Sequence, residues 1–218
     1  MNYSEKQLEQ LRESVKSKLS QFRYDHTLGV ERMAVRLSEL YCPEKESLLR
    51  AAALLHDITK EKSFSEQMAI FEVKGVVPTK EQISVPPTLH ALTAPLVIPD
   101  EYGEYADEEL LNAIRYHSTG RENMTLSEKI IFLSDYIEDT RKFEDCIALR
   151  EEFFLACPEK MSDGDRLEHL NRVLLHSIEI TVSDLEEKGK TIESNTLRAR
   201  ESLKREIKKG ENNGRDQK

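Results

Sequence analysis

Tryptophan is absent from this 218-residue chain, and glycine and proline are scarce, at eight and seven residues. So few turn formers argue against an all-β fold, which needs a tight turn every few residues. Cysteine is rarer still: Cys42, Cys146 and Cys157 are widely spaced, with no C-x-x-C pair. An odd, scattered set of three excludes a disulfide framework and a thiolate zinc site. No stretch approaches the ~18 apolar residues of a membrane span, and the opening "MNYSEKQLEQ" lacks the pattern of a secretory signal. Nor is there an excess of positive charge. The formal net charge is −9, and without a basic stripe a nucleic-acid-binding surface is not expected, although a single basic pocket remains compatible with it. These absences predict a soluble, cytoplasmic protein with no membrane or nucleic-acid partner.

What is present is helical periodicity. Hydrophobic residues make up 38% and charged residues 33%, enough for one ample core. Leu8, Leu11, Val15, Leu19 and Phe22 are spaced as one apolar stripe on an N-terminal helix, and Val30, Ala34, Leu37 and Tyr41 repeat the pattern. Residues 46 to 60 form a third helix, apolar nearly all round and therefore central. Ser63 to Glu66 and Thr125 to Glu128 have the form of capping boxes. Between them, "VKGVVPTKEQISVPPTLH" is a long connection. Further helices are expected over roughly 88–98, 107–117, 126–139, 144–155 and 165–188, the last stopped by Gly189. Residues 206–218 are polar and charged and are expected to be a disordered tail. The expectation is an all-α protein, one helical bundle over 1–205. Apolar stripes on the first and last helices would serve a homodimer as well as a core.

The stretch "LLHDITKEKS" carries the first hint of chemistry. An apolar helix ends on His56 and Asp57 side by side, and Lys60 follows on the same helical face. Asp135 lies inside the apolar run "EKIIFLSDYIEDTR", where an unpaired carboxylate would be costly. A divalent cation is one of the strongest partners for such a group. Imidazoles are available at His26, His56, His90 and His117, and a mixed N/O donor set suits iron, manganese, cobalt or zinc better than magnesium or calcium. His169 and His176, on one long polar helix, read as surface or interface residues. Glu138 and Asp139 read as solvated residues at a helix end.

The order His26, His56-Asp57, Asp135 resembles the HD-domain metal-dependent phosphohydrolases. The words "RYDHTLGV", "LHALTAPLVI", "YHSTGRENMTLSEKIIFLSDYIED" and "ALR" narrow the resemblance to the YqeK-type symmetrical bis(5′-nucleosyl)-tetraphosphatases, over residues 22 to 200 with an HD core of about 22–140. That resemblance implies hydrolysis of diadenosine tetraphosphate into two ADP. It implies His26, His56, Asp57 and Asp135 as metal ligands, commonly for iron, in a mono- or binuclear site. It also implies His90 and His117 as ligands of a second metal or as phosphate contacts, Lys60 and Arg141 as cations near the phosphates, and Ser118 in the turn that follows. The chain departs from the family in "GKTIESNTLRARESL": Glu193 and Ser194 stand where a His-Pro pair is usual, although Thr196 fits as a residue enclosing the nucleotide.

For a phosphoanhydride, bound divalent ions lower the pKa of water and neutralise the phosphoryl oxygens. Asp57 would bridge two ions, or hold one while steering the water. Lys60, Arg141 or a protonated His117 would offset charge on the departing ADP. Beside a purely structural helical protein with buried polar residues, two functional alternatives stay open on the sequence. One is hydrolysis of another nucleotide on the same site, such as a nucleotidase or a (p)ppGpp or dNTP hydrolase. The other is a nucleotide sensor without turnover.

Overall fold

A computed structural model describes residues 2–215, with side chains through Gly210. Among the described residues there are eleven α-helices and no strand. They are α1 (Glu5–Lys16), α2 (Gln21–Tyr41), α3 (Glu46–Leu55), α4 (Phe64–Val73), α5 (Lys80–Ser84), α6 (Leu89–Glu101), α7 (Glu108–Tyr116), α8 (Leu126–Ile137), α9 (Glu144–Leu155), α10 (Asp163–Glu187) and α11 (Ser194–Arg215). None of them is long and apolar enough to cross a membrane.

Helix α3 is the centre of the bundle, packed against α1, α2, α7 and α8. Leu48, Leu49, Leu54 and Leu55 fill the space around it, while Ala51, Ala52 and Ala53 let its neighbours approach closely. Leu49 is 0% exposed, so Leu49→Ala is expected to cost about 2–5 kcal/mol of stability. Thermal unfolding by circular dichroism should show a midpoint lower by several degrees.

The expected first stripe is split between two helices. α1 ends at Lys16, Ser20 caps the start of α2 by accepting from the Arg23 amide, and Phe22 lies 76% exposed. Spacing by three and four ran across the break because it cannot register a side-chain cap. α3 also stops at Leu55, not at residue 60. Residues 56–62 continue as tight turns, with the amides of Ile58, Lys60 and Lys62 donating to carbonyls three residues back. Both expected capping boxes are present, at Ser63 and Thr125. Within the long connection, Thr79 and Gln82 form a further box that starts the short α5. Gly189, with φ of +59°, ends α10 as predicted.

The polar C-terminal segment is helical where a disordered tail was expected. α11 runs on to Arg215, anchored along its apolar side by buried Ala199, Leu203 and Ile207. Composition understated that side because the buried positions are few and widely spaced. Residues 216–218 of the expected tail lie outside the described residues.

Candidate metal centre

Five helices deliver the ionisable residues to one point. His26 projects from the second turn of α2, while His56 and Asp57 follow the last turn of α3. His90 is on the first turn of α6, His117 caps the end of α7, and Asp135 is on the last turn of α8.

Distances across this point are short. Asp57 Oδ1 lies 3.1 Å from His90 Nε2 and 3.8 Å from His117 Nε2. Asp57 Oδ2 lies 3.5 Å from His56 Nε2 and 3.8 Å from His26 Nε2. Asp135 Oδ1 lies 3.0 Å from His26 Nε2 and 3.8 Å from His56 Nε2. Two sets of three ligand atoms each fall within 4.8 Å of one another: His26, His56 and Asp135, and His56, Asp57 and His117.

The donor chemistry fits a divalent cation. His56 Nδ1 donates to the Ala53 carbonyl and His117 Nδ1 to the Ile114 carbonyl, each at 2.6 Å. A carbonyl only accepts, so the proton is on Nδ1 and the Nε2 lone pair faces the cluster. His26 Nε2 and His56 Nε2 are buried without a hydrogen-bond partner. The 3.0 Å approach of His26 Nε2 to Asp135 Oδ1 is an electrostatic contact. Imidazole nitrogens left without a partner among carboxylates are what an ion would satisfy.

Charge follows the geometry. Burial pushes the Asp57 carboxyl up, but His56 and His90 outweigh it and hold the group well below the usual carboxylate range. Asp135 is held low in the same way, against its burial, chiefly by Arg141 and His26. Burial would lower His26, yet Asp135 and Glu138 raise it to about 9. His117 is pushed down to about 3, first by burial and then by His56 and His90. The expected protonated His117 is therefore corrected: at neutral pH it is an uncharged imidazole, suited to coordination and not to offsetting negative charge. Burial also lowers Lys60.

The remaining candidates surround the cluster. Lys60 Nζ contacts the Pro87 carbonyl and His90 Nδ1, each at 3.3 Å, reaching them from the turn and not from a helix face. Ser118 Oγ lies 3.0 Å from His117 Nε2. Arg141 donates to Asp135 through Nε to the carbonyl and Nη2 to Oδ1, both at 2.7 Å. A cleft of about 200 Å³ opens above them, lined by Lys60, His117, Ser118, Asp135, Tyr136 and Thr196 among others. A larger hollow of about 380 Å³, beside Lys18, Ile58 and Lys62, has no imidazole in its wall. Glu193 is buried at the start of α11, where its carboxylate accepts from the Asn195 amide at 3.1 Å and caps the helix. His169 and His176 stand apart, bonded to the Phe153 carbonyl and to Glu152.

Two residues near the metal cluster escaped the sequence reading. Arg23 donates to Asp57 Oδ2 at 2.7 Å; its place three residues before His26, on the same helical face, was the available signal. Glu138, expected to be solvated, is 1% exposed. It follows an apolar helix, but the chain turns inward there because Arg150 holds the carbonyls of Ile137 and Glu138. Asp139 is indeed solvent-exposed, 3.5 Å from Arg36.

The profile of the HD domain matches residues 23–140, which span every residue of the cluster. The chain belongs to the HD-domain family. This HD protein is 38% identical over 133 residues to a Halalkalibacterium halodurans protein, covering 59% of this chain and 67% of that one. It is 32% identical over 183 residues to a Bacillus subtilis protein, covering 84% and 90%. Both relatives carry the name symmetrical bis(5′-nucleosyl)-tetraphosphatase. Among solved structures, a protein from Clostridium acetobutylicum described as a predicted HD superfamily hydrolase involved in NAD metabolism superposes with a TM-score of 0.77. It is 32% identical and covers 93% of this chain and 98% of its own.

Proposed function

We propose that this HD protein is a metal-dependent hydrolase that splits diadenosine tetraphosphate symmetrically into two ADP. The observation that carries the reading is the pair of orphaned imidazole nitrogens, His26 Nε2 and His56 Nε2, facing Asp57 and Asp135. The names of the curated relatives supply the substrate. Iron is the ion proposed, as the family resemblance implies; manganese, cobalt and zinc share its preference for N/O donors. The two buried free thiols, Cys42 and Cys146, suit the reducing cytoplasm that we assign to it.

A bound divalent cation makes a water more acidic and draws charge from the phosphoryl oxygens. His26, His56, Asp57 and Asp135 would hold it. Arg23 and Arg141 keep the two carboxylates in place, through Asp57 Oδ2 and Asp135 Oδ1. His90 and His117 face the other oxygen of Asp57 and would hold a second ion or contact phosphate. Ser118 would donate to a phosphate oxygen, and Lys60 would balance charge on the departing ADP from the cleft wall. Thr196, which lines the same cleft, would help enclose the nucleotide.

The Clostridium protein's description favours a second reading, hydrolysis of another dinucleotide at the same site. Anaerobically purified, metal-loaded protein incubated in parallel with diadenosine tetraphosphate and with NAD separates the two. We expect ADP as the sole product of the first and no cleavage of the second. ATP plus AMP would place the cut elsewhere among the phosphates, and AMP released from NAD would favour the second reading. No product, with ADP still bound, would identify a sensor.

A further inference from the structure

Gly29 lies in the interior of α2, one helical turn beyond His26. It is not among the glycines of positive φ, so the backbone does not require it, and glycine is a poor helix former. Space explains it. A Cβ built there would collide with Glu138 Oε2 and stand 2.9 Å from Glu138 Cδ. The missing side chain is the room occupied by a buried carboxylate.

That carboxylate has a defined task. Glu138 Oε1 lies 3.1 Å from His26 Nδ1, and Thr140 donates to the same carboxylate through its amide at 2.6 Å and its hydroxyl at 2.7 Å. His56 and His117 sit at helix ends, where the carbonyls of Ala53 and Ile114 accept from their Nδ1 atoms. His26 is inside a helix whose carbonyls are already engaged, so its Nδ1–H needs an acceptor from outside. Glu138 is that acceptor.

We propose that Glu138 is a positioning residue, which holds the Nδ1–H form of His26 so that Nε2 faces the metal cluster, and that Gly29 is glycine to admit it. The proposal rests on the metal reading above. Hydrogen-bonded partners of ligating imidazoles fix the tautomer and ring orientation, and losing one typically weakens the ion 10- to 100-fold.

The test is zinc affinity, measured with a competing chelator, for the wild-type protein and for Glu138→Ala, Glu138→Gln, Gly29→Ala and the Gly29→Ala/Glu138→Ala double variant. Glu138→Ala and Gly29→Ala should each weaken zinc by about 10-fold or more, and the double variant should be no weaker than the worse single, because both act through one contact. Glu138→Gln preserves the shape and an acceptor oxygen, and should lose less than Glu138→Ala. Nitrogen chemical shifts of His26 in the zinc-loaded protein should show Nδ1 protonated. Unchanged affinity in the folded Glu138→Ala and Gly29→Ala variants, or losses that multiply in the double, would overturn the proposal. Failure of the wild-type protein to bind zinc would instead overturn the metal reading, and this proposal with it.

Discussion

Asp57→Asn is expected to abolish hydrolysis of diadenosine tetraphosphate, by at least about a thousandfold in kcat/KM, and to strip the protein of its ion. Asp57 is 3% exposed, and its two oxygens serve both halves of the cluster. Oδ1 faces His90 and His117, and Oδ2 faces His26 and His56. Asparagine keeps the shape but removes the charge that draws a cation into a buried site. It also leaves the Arg23 guanidinium, 2.7 Å away, without its carboxylate. Metal content by mass spectrometry and product release by ion exchange, on the same folded preparation, check both parts. Wild-type turnover by Asp57→Asn would remove Asp57 from the chemistry.

The second large effect is on pH dependence. His26, raised to about 9, is protonated in the metal-free protein at neutral pH. An ion taking Nε2 must displace that proton, so below pH 9 each unit of rising pH removes about a tenfold competition. From pH 6 to pH 8 His26 alone should tighten zinc by about a hundredfold. His90 and His117 are pushed down by burial and do not oppose this. Asp57 and Asp135, held low, stay ionised throughout. Isothermal titration in two buffers of different ionisation enthalpy would count the protons released. An affinity flat with pH would mean that His26 is already neutral without the ion.

Much of the fold was legible in periodicity. α3 read as central because its apolar residues leave no polar face, and the boxes at Ser63 and Thr125 marked two helix starts. What periodicity missed were breaks made by side chains. Ser20 starts a new helix within an unbroken stripe, and α3 gives way to tight turns after Leu55. In the site, Asp57 and Asp135 stood out because a carboxylate in an apolar run asks for a partner. Glu138 did not, since a polar residue following a helix usually faces water; its inward turn depends on Arg150, twelve residues further on.

By itself, then, the sequence determined an all-α chain in which an apolar helix runs into His56 and Asp57 and Asp135 sits within an apolar run, together with the words that carry the HD resemblance. Local pattern suffices for these, because helix periodicity and the cost of burying charge act over a few residues. Only the tertiary structure decided that residues from α2, α3, α6, α7 and α8 share one point, that His117 is neutral there, and that Gly29 makes room for the carboxylate behind His26. Those properties depend on distances between segments far apart in the chain, and on burial that exists only once the helices have packed.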